Sequence, residues 1–63
     1  MKVGIIGSGG REHSICQALN KSNKISQIYC FPGNAGTSEI AKNISLNLED
    51  FNELKIFIIT NNI

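Results

Sequence analysis

Sixty-three residues make at most one small domain. A composition of 41% hydrophobic and 17% charged residues is too apolar for a disordered chain, and a net charge of +1 with a pI near 7.8 supplies no field to recruit DNA, RNA or a membrane surface. Cys16 and Cys30 are too few for a disulfide-stapled mini-protein, no Cys/His set has zinc spacing, and no apolar run approaches the roughly 18–20 residues of a spanning helix.

In chain order, Lys2-Val3-Gly4-Ile5-Ile6 is a nearly continuous apolar run. It predicts a strand buried on both faces, as in a parallel sheet. Residues 1–7 do not read as a signal peptide, because the apolar stretch is short and glycine interrupts it. Gly7-Ser8-Gly9-Gly10 ends the strand. A helix is expected over residues 11–20, with Ile15, Ala18 and Leu19 as its apolar face and Cys16 beside it. Lys21 and Lys24 suit the negative end of that helix. A second strand is expected over 25–31, broken by Pro32-Gly33. The helix-containing connection of about 20 residues fits a parallel crossover rather than a hairpin.

Pro32-Gly33-Asn34-Ala35-Gly36-Thr37 is a second loop rich in turn formers. One helical turn is expected at 38–41 and a short extended piece at 43–46. The tail admits two readings. Ile56-Phe57-Ile58-Ile59 has strand propensity. Leu48, Phe51, Leu54 and Ile58, however, follow the helical period. With Asn47 as N-cap, Glu49 and Asp50 in the positive first turn and Asn61-Asn62 as the stop, a helix over 48–60 is the expectation. No repeat, low-complexity segment or linker is evident.

Gly7-Ser8-Gly9-Gly10 sits where a strand feeds a helix. Glycine there permits positive φ and close approach of a ligand to the backbone. The helix start offers unpaired N–H groups and a partial positive charge, which suits a phosphate or carboxylate. The alternative is a tight turn with no ligand. The loop is not a Walker A motif, since no Gly-Lys-Ser/Thr follows. It is a poor dinucleotide fingerprint too: the third glycine would fall at Glu12, and Tyr29-Cys30-Phe31-Pro32 lacks the acid that holds ribose hydroxyls.

Two motifs together carry a resemblance. Gly7-Ser8-Gly9-Gly10-Arg11-Glu12-His13 after the first strand, and Pro32-Gly33-Asn34-Ala35-Gly36-Thr37 after the second, resemble the start of the phosphoribosylamine–glycine ligases. These are also called glycinamide ribonucleotide synthetases, members of the ATP-grasp superfamily in purine biosynthesis. The resemblance covers the whole chain and favours helix for the tail. It implies that residues 1–63 are the incomplete N-terminal part of the ligase N domain, ending before the third main strand. The implied fold is α/β: a β-loop-α-β-loop-α piece of a Rossmann-like parallel sheet, the pre-ATP-grasp domain.

For the full enzyme the resemblance implies that ATP and Mg²⁺ convert glycine to an acyl phosphate. The amine of 5-phosphoribosylamine then attacks it, releasing glycinamide ribonucleotide, ADP and phosphate. No cofactor, metal site or catalytic residue is expected within these 63 residues. The expected role is to help hold the sugar phosphate, through Gly7, Ser8, Gly9, Gly10, Arg11, Glu12, Pro32, Gly33 and Asn34. The expected partners are 5-phosphoribosylamine, glycine, ATP and the remaining domains of the same enzyme, with no nucleic acid or membrane. The expected location is cytoplasmic.

Individual residues keep a plainer reading beside that one. Arg11 in the first helical turn either meets an anion or another domain, or is a solvated side chain. Glu12, as the third helical residue after an N-cap Gly9, suits capping and also suits a substrate amine or hydroxyl. His13 lacks a carboxylate or nucleophile placed by sequence, so packing outweighs acid–base work. Cys16 and Cys30 read as reduced core residues. Asn34 either favours a left-handed turn or meets substrate. Two rivals to the ligase reading stand: a small Rossmann-like nucleotide-binding module, and an inactive truncated piece. A chain this small is also expected to be marginally stable and inactive as a ligase by itself.

Overall fold

β1 (Lys2–Gly7) and β2 (Gln27–Pro32) pair in parallel, from Lys2 opposite Gln27 to Gly7 opposite Pro32. In the computed structural model, which describes residues 1–47 and 49–63, α1 (Gly10–Asn20) connects them. A single 3₁₀ turn (Thr37–Glu39) leads to β3 (Lys42–Asn43), which pairs parallel to β2 and gives the sheet order β1-β2-β3. α2 (Phe51–Thr60) closes the chain. The expected α/β order of β-loop-α-β-loop-α is therefore observed.

β2 explains the layering. Its side chains alternate between the two faces of the sheet. Ile28 and Cys30 join Ile5 and the α1 residue Cys16 in one core, with Val3 and Leu19 packed against it. Tyr29 and Phe31 join Leu54 of α2 in a second core on the other face. Phe57 stands edge-on to both rings, 5.7 Å from Tyr29 and 5.5 Å from Phe31. Such pairs add about 0.5–1.5 kcal/mol beyond the area they bury. The strand buried on both faces is thus β2, not β1 as expected. In β1, Ile5 is buried but Ile6 is 59% exposed, because α2 packs on the rings of β2 rather than over the end of β1.

Both helices differ in detail from expectation. α1 turns Cys16 into the core and leaves Ile15 exposed, so the inward stripe runs through Cys16 and Leu19 instead of Ile15 and Ala18. α2 begins later than expected. The Asp50 carboxylate accepts the N–H groups of Asn52 at 3.1 Å and Glu53 at 3.2 Å, so Asp50 is the N-cap. Asn47 forms a separate turn before it, accepting the Glu49 N–H on Oδ1 and the Asp50 N–H on its carbonyl. Leu48, the expected first helical residue, lies outside the described residues. Phe51 is exposed, whereas Leu54 and Ile58 face the second core.

The second strand begins at Gln27 rather than Ile25 and runs on to Pro32. The turn expected at 38–41 falls at Thr37–Glu39. The extended piece expected at 43–46 shares only Asn43 with β3, although Ile44 continues it by donating to the Cys30 carbonyl at 2.8 Å.

Candidate functional site

Parallel strands bring their C-terminal ends to one sheet edge, and the loops that follow them meet there. Gly7 and Pro32 are the last paired residues of β1 and β2. The two glycine-rich loops therefore start side by side. They are also bonded: the Gly33 N–H donates to the Gly7 carbonyl at 3.0 Å, and Asn34 Nδ2 donates to the carbonyls of Ser8 and Gly9.

Glycine is required at two positions of this edge. Gly7 has φ +142° and Gly33 has φ +77°, backbone that L side chains rarely adopt. A Cβ on Gly7 would also press on Glu12, 2.6 Å from its Cδ, and a Cβ on Gly33 would fall 2.7 Å from Thr37 Oγ1. Gly9 is different. Its φ of −89° and ψ of −179° are ordinary extended backbone, so the need for positive φ rests on Gly7. The left-handed residue of the second loop is likewise Gly33 and not Asn34.

Gly9 is the N-cap of α1, with its carbonyl accepting the His13 N–H at 3.2 Å. Its own N–H donates to Glu12 Oε2 at 3.0 Å. Glu12 therefore reaches back to cap the helix, the structural reading of that residue. In doing so it folds against Gly7 and Gly9, where a dinucleotide fingerprint keeps glycine and open space. The N–H groups of Gly10, Arg11 and Glu12 precede the first intrahelical bond and carry the positive end of the helix dipole. Gly10 and Arg11 are exposed, and a Cβ on Gly10 would meet nothing within 4 Å. These are the donors that suit an anion.

The remaining candidates fall around this edge. Ser8 and Pro32 are exposed, and Gly33 and Asn34 are half-buried. His13 packs its ring over Gly36, where an added Cβ would lie 2.6 Å from Nδ1. Cys16 and Cys30 are both free and fully buried. Burial first, and then the neighbouring Cys30, pushes the Cys16 thiol up to about 11. It is a core thiol and not a nucleophile. Among the described residues, no group of three or more His, Cys, Asp or Glu is placed to hold a metal ion, and no helix is long and apolar enough to cross a membrane. The depression lined by Ile25, Gln27, Ile28 and Ile40 opens at the opposite end of the strands and shares no residue with the loops.

Sequence reasoning did not single out Thr37 and Asn43. Thr37 is fully buried, and its hydroxyl bonds with the Asn34 N–H at 2.8 Å and with Asn43 Oδ1 at 2.8 Å. The signal for Thr37 was present in the Asn34-x-x-Thr37 spacing, which allows reciprocal side chain–backbone bonds. Asn43 had no such local signal, because its bonds depend on where β3 docks.

The residues of both loops lie within one family match. The model of the phosphoribosylglycinamide synthetase N domain matches residues 1–63. Phosphoribosylamine–glycine ligase from Caldanaerobacter subterraneus subsp. tengcongensis is 43% identical over 63 residues, covering 100% of this chain and 15% of the relative. The enzyme of the same name from Clostridium acetobutylicum is 44% identical over the same span, again 15% of its length. The crystal structure of the Thermotoga maritima phosphoribosylamine–glycine ligase superposes with a TM-score of 0.69 at 38% identity, over 84% of this chain and 13% of that one. This chain thus spans about 15% of the length of the curated relatives it matches. With both loop motifs inside a match that covers every residue, the chain belongs to the phosphoribosylglycinamide synthetase N domain family.

Proposed function

We propose that this chain serves a cytoplasmic, ATP-dependent carbon–nitrogen ligase that joins glycine to 5-phosphoribosylamine, and that its two loops help to hold the sugar phosphate. The observation that carries the reading is the joined loop edge. Gly7 to Glu12 and Pro32 to Asn34 form one continuous surface at the head of α1, within a chain that matches the family over its whole length. In this reading the Gly10 and Arg11 N–H groups face the phosphate, and the Arg11 guanidinium adds a second positive charge from the same turn.

The chemistry needs more than these residues offer. The acyl phosphate of glycine forms at the expense of ATP, and the amine of phosphoribosylamine then displaces phosphate to make the amide. In this reading no Mg²⁺-dependent step is assigned to these residues. Glycine, ATP and Mg²⁺ belong to other domains of the ligase, and the 63-residue chain alone is inactive in this reading.

The test is a chimera. These 63 residues replace the matching segment of the Caldanaerobacter subterraneus ligase, and ADP release dependent on glycine and phosphoribosylamine is followed. The expected result is ligase activity in the chimera and none in the isolated chain. A folded chimera that binds ATP but gives no phosphoribosylamine-dependent turnover would count against the proposal.

A further inference from the structure

Asn34 lies in the second loop but commits its side chain to the first. Nδ2 donates to the Ser8 carbonyl at 2.8 Å and to the Gly9 carbonyl at 3.2 Å, while Oδ1 accepts the Thr37 N–H at 3.0 Å. Only this amide orientation works, since the reverse would set an oxygen against two carbonyls and an NH₂ against an N–H. The asparagine is itself held. Thr37 Oγ1 accepts the Asn34 N–H at 2.8 Å, completing a reciprocal pair. Asn43 Nδ2 donates to the Asn34 carbonyl at 2.8 Å, and Asn43 Oδ1 accepts the Thr37 hydroxyl at 2.8 Å. Loop, turn and β3 therefore form a bracket from which one amide projects into the first loop.

A trans peptide unit points its C=O and N–H in opposite directions. Holding the Ser8 carbonyl on Asn34 turns the Gly9 N–H away, toward Glu12 Oε2. The Gly9 carbonyl accepts both Asn34 Nδ2 and the His13 N–H, each at 3.2 Å, and the two bonds together hold the Gly10 N–H outward from the head of α1. We propose that Asn34 is a positioning residue: its amide fixes the Ser8 and Gly9 carbonyls, aims the Gly10 N–H at the phosphate of the sugar-phosphate substrate and keeps carbonyl oxygens away from that anion. This deepens the sugar-phosphate reading above and rests on it.

The test uses the ¹⁵N-labelled chain, its Asn34→Asp, Asn34→Ser and Thr37→Ser variants, and inorganic phosphate as the probe. Asn34→Asp has nearly the same shape and keeps the acceptor for the Thr37 N–H, but it loses the donor. It also adds a negative charge that itself repels phosphate, so its phosphate affinity counts only where the neutral Asn34→Ser shows the same loss. Core resonances of Ile5, Cys16 and Ile28 should stay in place. Hydrogen exchange at the Gly9 amide should become about tenfold faster, and the phosphate dissociation constant should rise about tenfold, as expected for the loss of two hydrogen bonds. Thr37→Ser keeps the hydroxyl and should behave as wild type. A folded Asn34→Asp chain with wild-type exchange and wild-type phosphate affinity would overturn the inference. If the wild-type chain takes up no phosphate, the sugar-phosphate reading is what fails. The exchange readout then still decides whether Asn34 orients the loop: faster exchange supports it and unchanged exchange rejects it. The same two measurements are made on Asn34→Ser, whose hydroxyl restores at most one of the two bonds, and they decide alone should Asn34→Asp unfold.

Discussion

The Gly33 N–H donates to the Gly7 carbonyl at 3.0 Å, tying the start of the second loop to the end of β1. Both residues carry positive φ, at +77° and +142°. The loop edge is therefore built on two backbone conformations that only glycine adopts without strain.

Gly7→Ala and Gly33→Ala should each destabilise the chain by about 1–3 kcal/mol, the cost of a strained backbone, with added pressure on Glu12 and Thr37. Gly10→Ala is the control. Its Cβ meets open space at the first position of a helix, so it should be neutral or stabilising by up to about 1 kcal/mol. Urea unfolding followed by circular dichroism gives the three values, and equal costs at Gly7 and Gly10 would refute the assignment.

Asp50→Ala removes two N-terminal hydrogen bonds of α2 and should cost about 1 kcal/mol. Asn47→Ala should cost less, since it loosens only the turn before the helix. The order of the two urea midpoints checks which residue is the cap.

The Cys16 thiol is raised from 9.0 to about 11, by burial first and by Cys30 second. A folded value above the unfolded one means that this contribution to stability is complete below pH 9 and is lost as pH rises through about 11. Wild type should lose stability across that window more steeply than Cys16→Ala. Parallel pH profiles for the two proteins would contradict the raised value.

Gly9→Val should leave the fold intact, because φ at −89° suits any residue. Its side chain would crowd Glu12 Oε2, 3.0 Å from an ideal Cβ, and disturb the helix cap. In the chimeric ligase the expected result is about a tenfold loss in kcat/KM for phosphoribosylamine with ATP KM unchanged. Equal losses for both substrates would mean a general defect.

What the sequence showed, and what it hid, follows from the range of the forces involved. The order of elements and the loop edge were legible because apolar runs, glycines and Pro32 act locally. Facial burial was not. Cys16 against Ile15, and β2 against β1, were decided by how α1 and α2 cross the sheet. Asp50 won the cap over Asn47 because its carboxylate reaches two N–H groups of the first turn of α2. The role of Asn43 needed tertiary placement, since its partners lie across the gap between β3 and the second loop.

The most direct measurement is a titration of the ¹⁵N-labelled chain with ribose 5-phosphate, with ribose as the control. Saturable shifts are expected at the Gly10 and Arg11 amides with ribose 5-phosphate and none with ribose. Shifts confined to residues around Gln27 and Ile40, or equal responses to both sugars, would contradict it.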